Sequence, residues 1–185
     1  LDKIEARQFI DWVNQHFPQV SINLYSGKDW MTDRLDQWSQ EEARITGEKP
    51  LILPLLDPLL DMTKPLHKLL LIGEAEEIQA LYRAISADDF PSTAFYLSKA
   101  NYLEVTAKHV SKEDALVELA NHYHLSLEEV LTMGDNFNDL PMLKKAGIGV
   151  AMGNAPQEVK DEAAVVTKTN NENGAGQAVE TYVLI

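Results

Sequence analysis

The chain has 185 residues, 45% hydrophobic and 24% charged, and its 16 Lys plus Arg against 29 Asp plus Glu give a formal net charge of −13. That suits one larger domain or two small ones with a sizeable core, while so acidic a balance repels nucleic-acid backbones and anionic membranes and excludes both as first-choice partners. The absence of cysteine excludes disulfides and thiolate metal sites, and a reducing, cytoplasmic location is expected.

In chain order, Asp2 to Phe17 predicts an amphipathic helix with Phe9, Ile10, Val13 and Phe17 on one face. Val20 to Tyr25 predicts a strand, followed by a Ser26-Gly27-Lys28-Asp29 turn and a short strand near Trp30. Asp33 to Thr46 predicts a helix that Gly47 stops. The most apolar stretch, Leu51 to Leu60, is too short to span a bilayer and is broken by Pro54, Asp57 and Pro58. Lys68 to Ile72 predicts a strand, and Glu74 to Ser86 a helix with Ile78, Leu81, Tyr82 and Ile85 at helical spacing. Thr93 to Leu97 and Tyr102 to Thr106 predict a hairpin. The order αββαβαββ points to an α+β unit, an open sheet with helices on one face, over residues 1–105.

From residue 106 to 185 the rhythm changes. Lys112 to His124 predicts a helix with Ser111 and Asp114 placed as a capping box, and Ser126 with Glu129 forms a second box. Strands at Val130 to Met133, Ile148 to Ala151 and Ala164 to Thr167 alternate with helices at Leu140 to Ala146, Ala155 to Ala163 and Ala175 to Val183. This alternation implies a parallel, Rossmann-like α/β sheet, whose ligands sit at the carboxyl ends of the strands.

The stretch Met133-Gly134-Asp135-Asn136-Phe137-Asn138-Asp139 lies at such an end. Gly134 allows close backbone approach. A carboxylate at Asp135 can bind a hard cation such as Mg²⁺, which takes only one or two protein carboxylates. Asn138 can donate an amide hydrogen bond to a phosphate oxygen, and Asp139 can face the metal through water or hold its neighbours. Helix capping would need only one of these polar residues.

GDNFNDLPML followed by AGIGVAMGNAPQEVKDEA resembles the fourth motif of the haloacid dehalogenase (HAD) superfamily. The upstream YLEVT and HVSKEDAL resemble the third motif region of its Cof-type phosphatases, with Lys112 as the motif lysine. The resemblance runs from about Asn101 to the C-terminus, and the preceding element order is similar to the family's C2-type cap. It implies the C-terminal half of a HAD-like core carrying a substrate-specificity cap, with activity on small phosphorylated metabolites such as sugar phosphates or phosphorylated cofactors. By resemblance, Asp135 is a Mg²⁺ ligand, and Lys112 is catalytic, neutralising the phosphate and the nucleophile. Asn138 contacts the phosphate, and Asp139 supports Lys112 or the metal shell.

The family's reaction also needs a nucleophilic aspartate and an acid/base aspartate in a DxDxT motif. No two aspartates stand at i and i+2 in this chain, and the start at Leu1 coincides with the start of the family's cap. The expectation is therefore a chain without the N-terminal half of the core, inactive alone, with the strand Val130 to Met133 as an exposed edge that invites self-association. A non-catalytic phosphate-binding protein and a phosphosugar mutase are the alternatives. The pump domains that share a similar motif need membrane helices, which this sequence lacks. Other candidates have bland readings: Ser26 as a turn residue, Asn154 as a helix cap, His122 and His124 as unrelated side chains, and Arg34, Arg44 and Lys64 as solvent-facing or substrate-facing cations.

Overall fold

The computed structural model describes residues 1–184; Ile185, the last residue of the expected second domain, lies outside them. The architecture is α/β, in two compact units divided between His109 and Val110. The expected border after Val105 falls inside a strand, because cross-strand pairing continues through Thr106 and Ala107.

The first unit comprises α1 (Lys3–His16), β1 (Ser21–Ser26), β2 (Asp29–Thr32), α2 (Gln37–Thr46), β3 (Leu51–Ile52), α3 (Leu56–Leu60), β4 (Lys68–Ile72), α4 (Ala75–Ala84), β5 (Thr93–Lys99) and β6 (Tyr102–Ala107). The six strands form one sheet in the order β3-β2-β1-β4-β6-β5. Only β2 and β3 pair in parallel. The strand period of two sends Ile22, Leu24, Leu69, Leu71, Leu103 and Val105 to one face, where they meet Phe9, Ile10 and Val13 of α1 and Ile78 and Leu81 of α4. Burying each such side chain stabilises by about 1.5–3 kcal/mol.

Two expectations need correction. The short β3 and α3 break the anticipated order, giving αββαβαβαββ. They arise in the proline-punctuated stretch, where Pro58 is tolerated because it sits in the first turn of α3. Helices also do not keep to one face. Trp38 of α2 packs on the opposite side against Leu70, Ile72 and Tyr102, and the Tyr102 hydroxyl donates to the buried Glu42 carboxylate over 2.7 Å. Burial, followed by that carboxylate, pushes the Tyr102 hydroxyl above its usual pKa. Ser26 ends β1 and donates to the Pro65 carbonyl over 2.6 Å, a structural tie. Arg34 donates to the carbonyls of Pro18 and Val20, and Arg44 pairs with Glu41 on an exposed surface.

The second unit contains α5 (Lys112–Tyr123), β7 (Leu131–Gly134), α6 (Leu140–Lys145), β8 (Ile148–Ala151), α7 (Gln157–Glu162), β9 (Val165–Val166) and α8 (Gly174–Tyr182). Its strands are parallel in the order β7-β8-β9, so β7 lies at an edge of this sheet. The register aligns Gly134 with Ala151, and Ala151 with Val166. The three carboxyl ends, and the loops that leave them, therefore stand side by side.

Candidate active site

The loop after β7 is organised by one side chain. Asp139 ends a 3-10 turn over Phe137–Asp139 and is 3% exposed. Its Oδ2 accepts from the backbone N–H of Asp135 (2.8 Å) and of Asn136 (3.1 Å), and its Oδ1 pairs with the Lys112 ammonium. The Asn136 side chain reciprocates by capping the turn and accepts from the Phe137 N–H over 2.8 Å. Both oxygens of Asp139 are thus engaged by protein donors. Its contacts support the lysine and the loop backbone.

Gly134 has a reason different from the expected ligand approach. A Cβ there would lie 2.6 Å from Cγ and 2.8 Å from Oδ2 of Asp139. The absent side chain makes room for the organising carboxylate. Gly134→Ala should displace Asp139 and lower stability by about 1–3 kcal/mol, as overpacking does. A thermal melt equal to that of the unmodified protein would contradict this packing argument.

Lys112 opens α5, where a positive charge opposes the helix dipole. The ion pair with Asp139 offsets that conflict and holds the ammonium in place. Half of the lysine side chain remains exposed, and an ammonium carries three donors, so Lys112 can serve acceptors besides Asp139. Asn138 is half-buried on the 3-10 turn, and its amide makes no hydrogen bond among the described residues. Asp135 is exposed; its Oδ2 accepts from Asn154 Nδ2 over 3.0 Å, and its Oδ1 has no partner among the described residues.

Asn154 is not the expected cap of α7, which starts after Pro156 without a side-chain cap. Its Oδ1 instead accepts from the Asn170 backbone N–H over 3.0 Å. The sequence points to Asn154 first as a helix cap and second to a place near the phosphate site; its contact with Asp135 is what the structure adds. The spacing from Asp135 carries no local signal, because the contact depends on the parallel register.

The donor set fits Mg²⁺ in part. Asp135 offers one hard oxygen with a free lone-pair face, in keeping with an ion that takes few carboxylates and keeps its waters. No group of three or more His, Asp or Glu among the described residues could enclose a metal; a bound Mg²⁺ would keep most of its waters. Charges also fit: Lys112, Asp135 and Asp139 sum to −1, and a divalent cation would turn the site positive toward a phosphate. His122 stacks edge-on with Tyr123, and His124 ends α5 in the left-handed region.

The chain matches the family model described as haloacid dehalogenase-like hydrolase over residues 1–179. It is 39% identical over 173 residues to a candidate phosphatase of Haemophilus influenzae, covering 92% of this chain and 63% of that protein. It is 41% identical over 87 residues to a 5-amino-6-(5-phospho-D-ribitylamino)uracil phosphatase of Bacillus subtilis, covering 47% of this chain and 35% of that one. Among solved structures, a haloacid dehalogenase-like hydrolase from Bacteroides thetaiotaomicron superposes with a TM-score of 0.81 at 30% identity, over 98% of this chain and 67% of the other. The chain thus spans less than two thirds of the length of these two sequence relatives.

Proposed function

This chain belongs to the haloacid dehalogenase-like hydrolase family, and we propose that it supplies the phosphate-positioning half of a site that hydrolyses small phosphate monoesters. The observation that carries this reading is the Lys112–Asp139–loop network at the carboxyl ends of parallel strands. Lys112 presents its free protons to the phosphate and balances charge that spreads over the phosphoryl oxygens. Asn138 presents its unengaged amide to the same group. Asp135 holds Mg²⁺ through Oδ1, and the ion would supply electrostatic stabilisation of the phosphoryl oxygens.

The nucleophile and the general acid/base are carried by residues outside these 185, because no aspartate pair of the required spacing occurs here. In the whole protein they would form and hydrolyse an aspartyl-phosphate. The first unit acts as the specificity cap, with sugar phosphates or phosphorylated cofactors, pyridoxal phosphate and flavin mononucleotide included, as the substrate class. The ribityl phosphate named for the Bacillus relative belongs to the same chemical range. The lack of cysteine supports a cytoplasmic location, and no described helix is long and apolar enough to cross a membrane.

The test is a panel of phosphate monoesters assayed with the whole protein, with and without chelator. Hydrolysis should require Mg²⁺ and vanish with EDTA. Binding of the monoesters without turnover by the whole protein would instead establish a non-catalytic phosphate-binding protein. Transfer of phosphate within a sugar would establish a mutase.

A further inference from the structure

Three loops leave the carboxyl ends of β7, β8 and β9, and one side chain joins them. Asn154, after β8, reaches Asp135 after β7 through Nδ2 and Asn170 after β9 through Oδ1, at 3.0 Å each. A backbone N–H can only donate, so the partner at Asn170 fixes which end of the amide faces it. The NH₂ group is thereby directed at the Asp135 carboxylate.

The approach depends on Gly153, which lets the β8 loop lie against the next segment. Its N–H donates to the Lys168 carbonyl over 3.0 Å. A Cβ on Gly153 would stand 2.8 Å from the Thr169 nitrogen and 2.9 Å from the Lys168 carbonyl carbon. The Asn170–Glu172 turn is itself braced by a capping box between Thr169 and Glu172. The anchor for Asn154 is therefore a fixed backbone group, although Asn154 itself lies on an exposed loop.

We propose that Asn154 is a positioning residue for Asp135, holding its carboxylate by Oδ2 so that Oδ1 is the oxygen presented to the metal, with the Asn170 N–H setting Asn154 in turn. This rests on the reading of Asp135 as the Mg²⁺ ligand. A carboxylate on an exposed loop otherwise samples several rotamers and loses entropy on binding an ion. The amide removes that freedom in advance, as partners that orient ligating side chains do in other metal sites.

Two substitutions separate the links. Asn154→Ala removes both hydrogen bonds. Asn170→Pro removes only the anchoring N–H. Proline suits that site because Thr169 before it is extended, at φ −69° and ψ 164°, and because the first position of a helical turn accepts it. Asp135→Asn serves as the reference for loss of the ligand itself. Mg²⁺ affinity would be measured calorimetrically on the whole protein, and the Mg²⁺ activation constant and kcat at saturating Mg²⁺ separately, beside the melting temperature.

Both Asn154→Ala and Asn170→Pro should weaken Mg²⁺ binding by about 10–100-fold, the range seen when partners of metal ligands are removed. kcat should largely recover at saturating Mg²⁺. Unchanged Mg²⁺ affinity in these two variants, with Asp135→Asn losing it, overturns the positioning role and leaves Asp135 as the ligand. Unchanged affinity in Asp135→Asn overturns the metal reading beneath it. A lowered melting temperature with unaltered affinity makes Asn154 a structural staple and also overturns the proposal.

Discussion

Asp139→Ala is expected to lose both the local fold of the β7 loop and the activity that depends on it. The carboxylate is 4% exposed, whereas Lys112 is 50% exposed, so the ion pair contributes modestly after solvent screening. The greater loss comes from the two backbone N–H groups at Asp135 and Asn136, which are left without their acceptor. Unsatisfied buried donors cost about 1–3 kcal/mol each. Because Asp135 is exposed and its N–H can turn to water, a total near 2–4 kcal/mol is expected. Asp139→Asn keeps an acceptor for those donors and should be milder in stability, yet it still removes the charge that holds Lys112. Both variants should lose activity by about 10²–10³-fold, as loss of one preorganised electrostatic group does elsewhere. Calorimetric unfolding and turnover, both measured on the whole protein, check the two effects. An Asp139→Ala protein that melts and turns over like the unmodified one would remove the organising role assigned to this residue.

The second large effect concerns the 185-residue polypeptide by itself. It should show no Mg²⁺-dependent hydrolysis of a phosphate monoester above the uncatalysed rate, because no pair of aspartates at the nucleophile and acid/base spacing is present. The positioning groups alone cannot form the covalent intermediate that divides the reaction into two easier steps. Turnover that Asp135→Asn abolishes would defeat this expectation, since the variant separates true activity from a contaminating phosphatase. The same preparation should self-associate through β7, an edge strand of the three-stranded sheet. A net charge of −13 opposes that association, so it should strengthen as salt screens the repulsion. A monomer at all salt concentrations by light scattering would exclude pairing at this edge.

Much of the organisation is legible without coordinates. Helical spacing marks Phe9, Ile10, Val13, Phe17, Ile78, Leu81, Tyr82 and Ile85; five of these are buried, while Phe17 and Ile85 are half-buried and Tyr82 is exposed. Asp36 caps α2 through its side chain, a few residues inside the expected start at Asp33, and Gly47 ends it with φ 74°. The Ser126–Glu129 box forms as its spacing requires. These are local rules, in which a residue meets partners three or four positions away. The proline-rich Leu51–Leu60 stretch escapes such rules because its two short elements have too few residues for a period to show. α2 escapes them differently: it buries only Ser39 and Glu42 fully, so no apolar stripe indicates which face of the sheet it covers.

The sequence pointed to the kind of chemistry through its resemblance to the HAD motifs, because composition and spacing by themselves leave the Gly-Asp-Asn-Phe-Asn-Asp run open between a helix cap and a metal or phosphate site. Which of its residues touch one another was decided only by tertiary structure. The space above Gly134 belongs to Asp139, the Lys112 ammonium on α5 pairs with that same Asp139, 27 residues away, and Asp135 accepts from Asn154, 19 residues away. Composition and spacing report what a residue can do. The register of parallel strands decides which residues beyond the strand ends meet, and those partners come from different strands, too far apart in the sequence for local spacing to pair them.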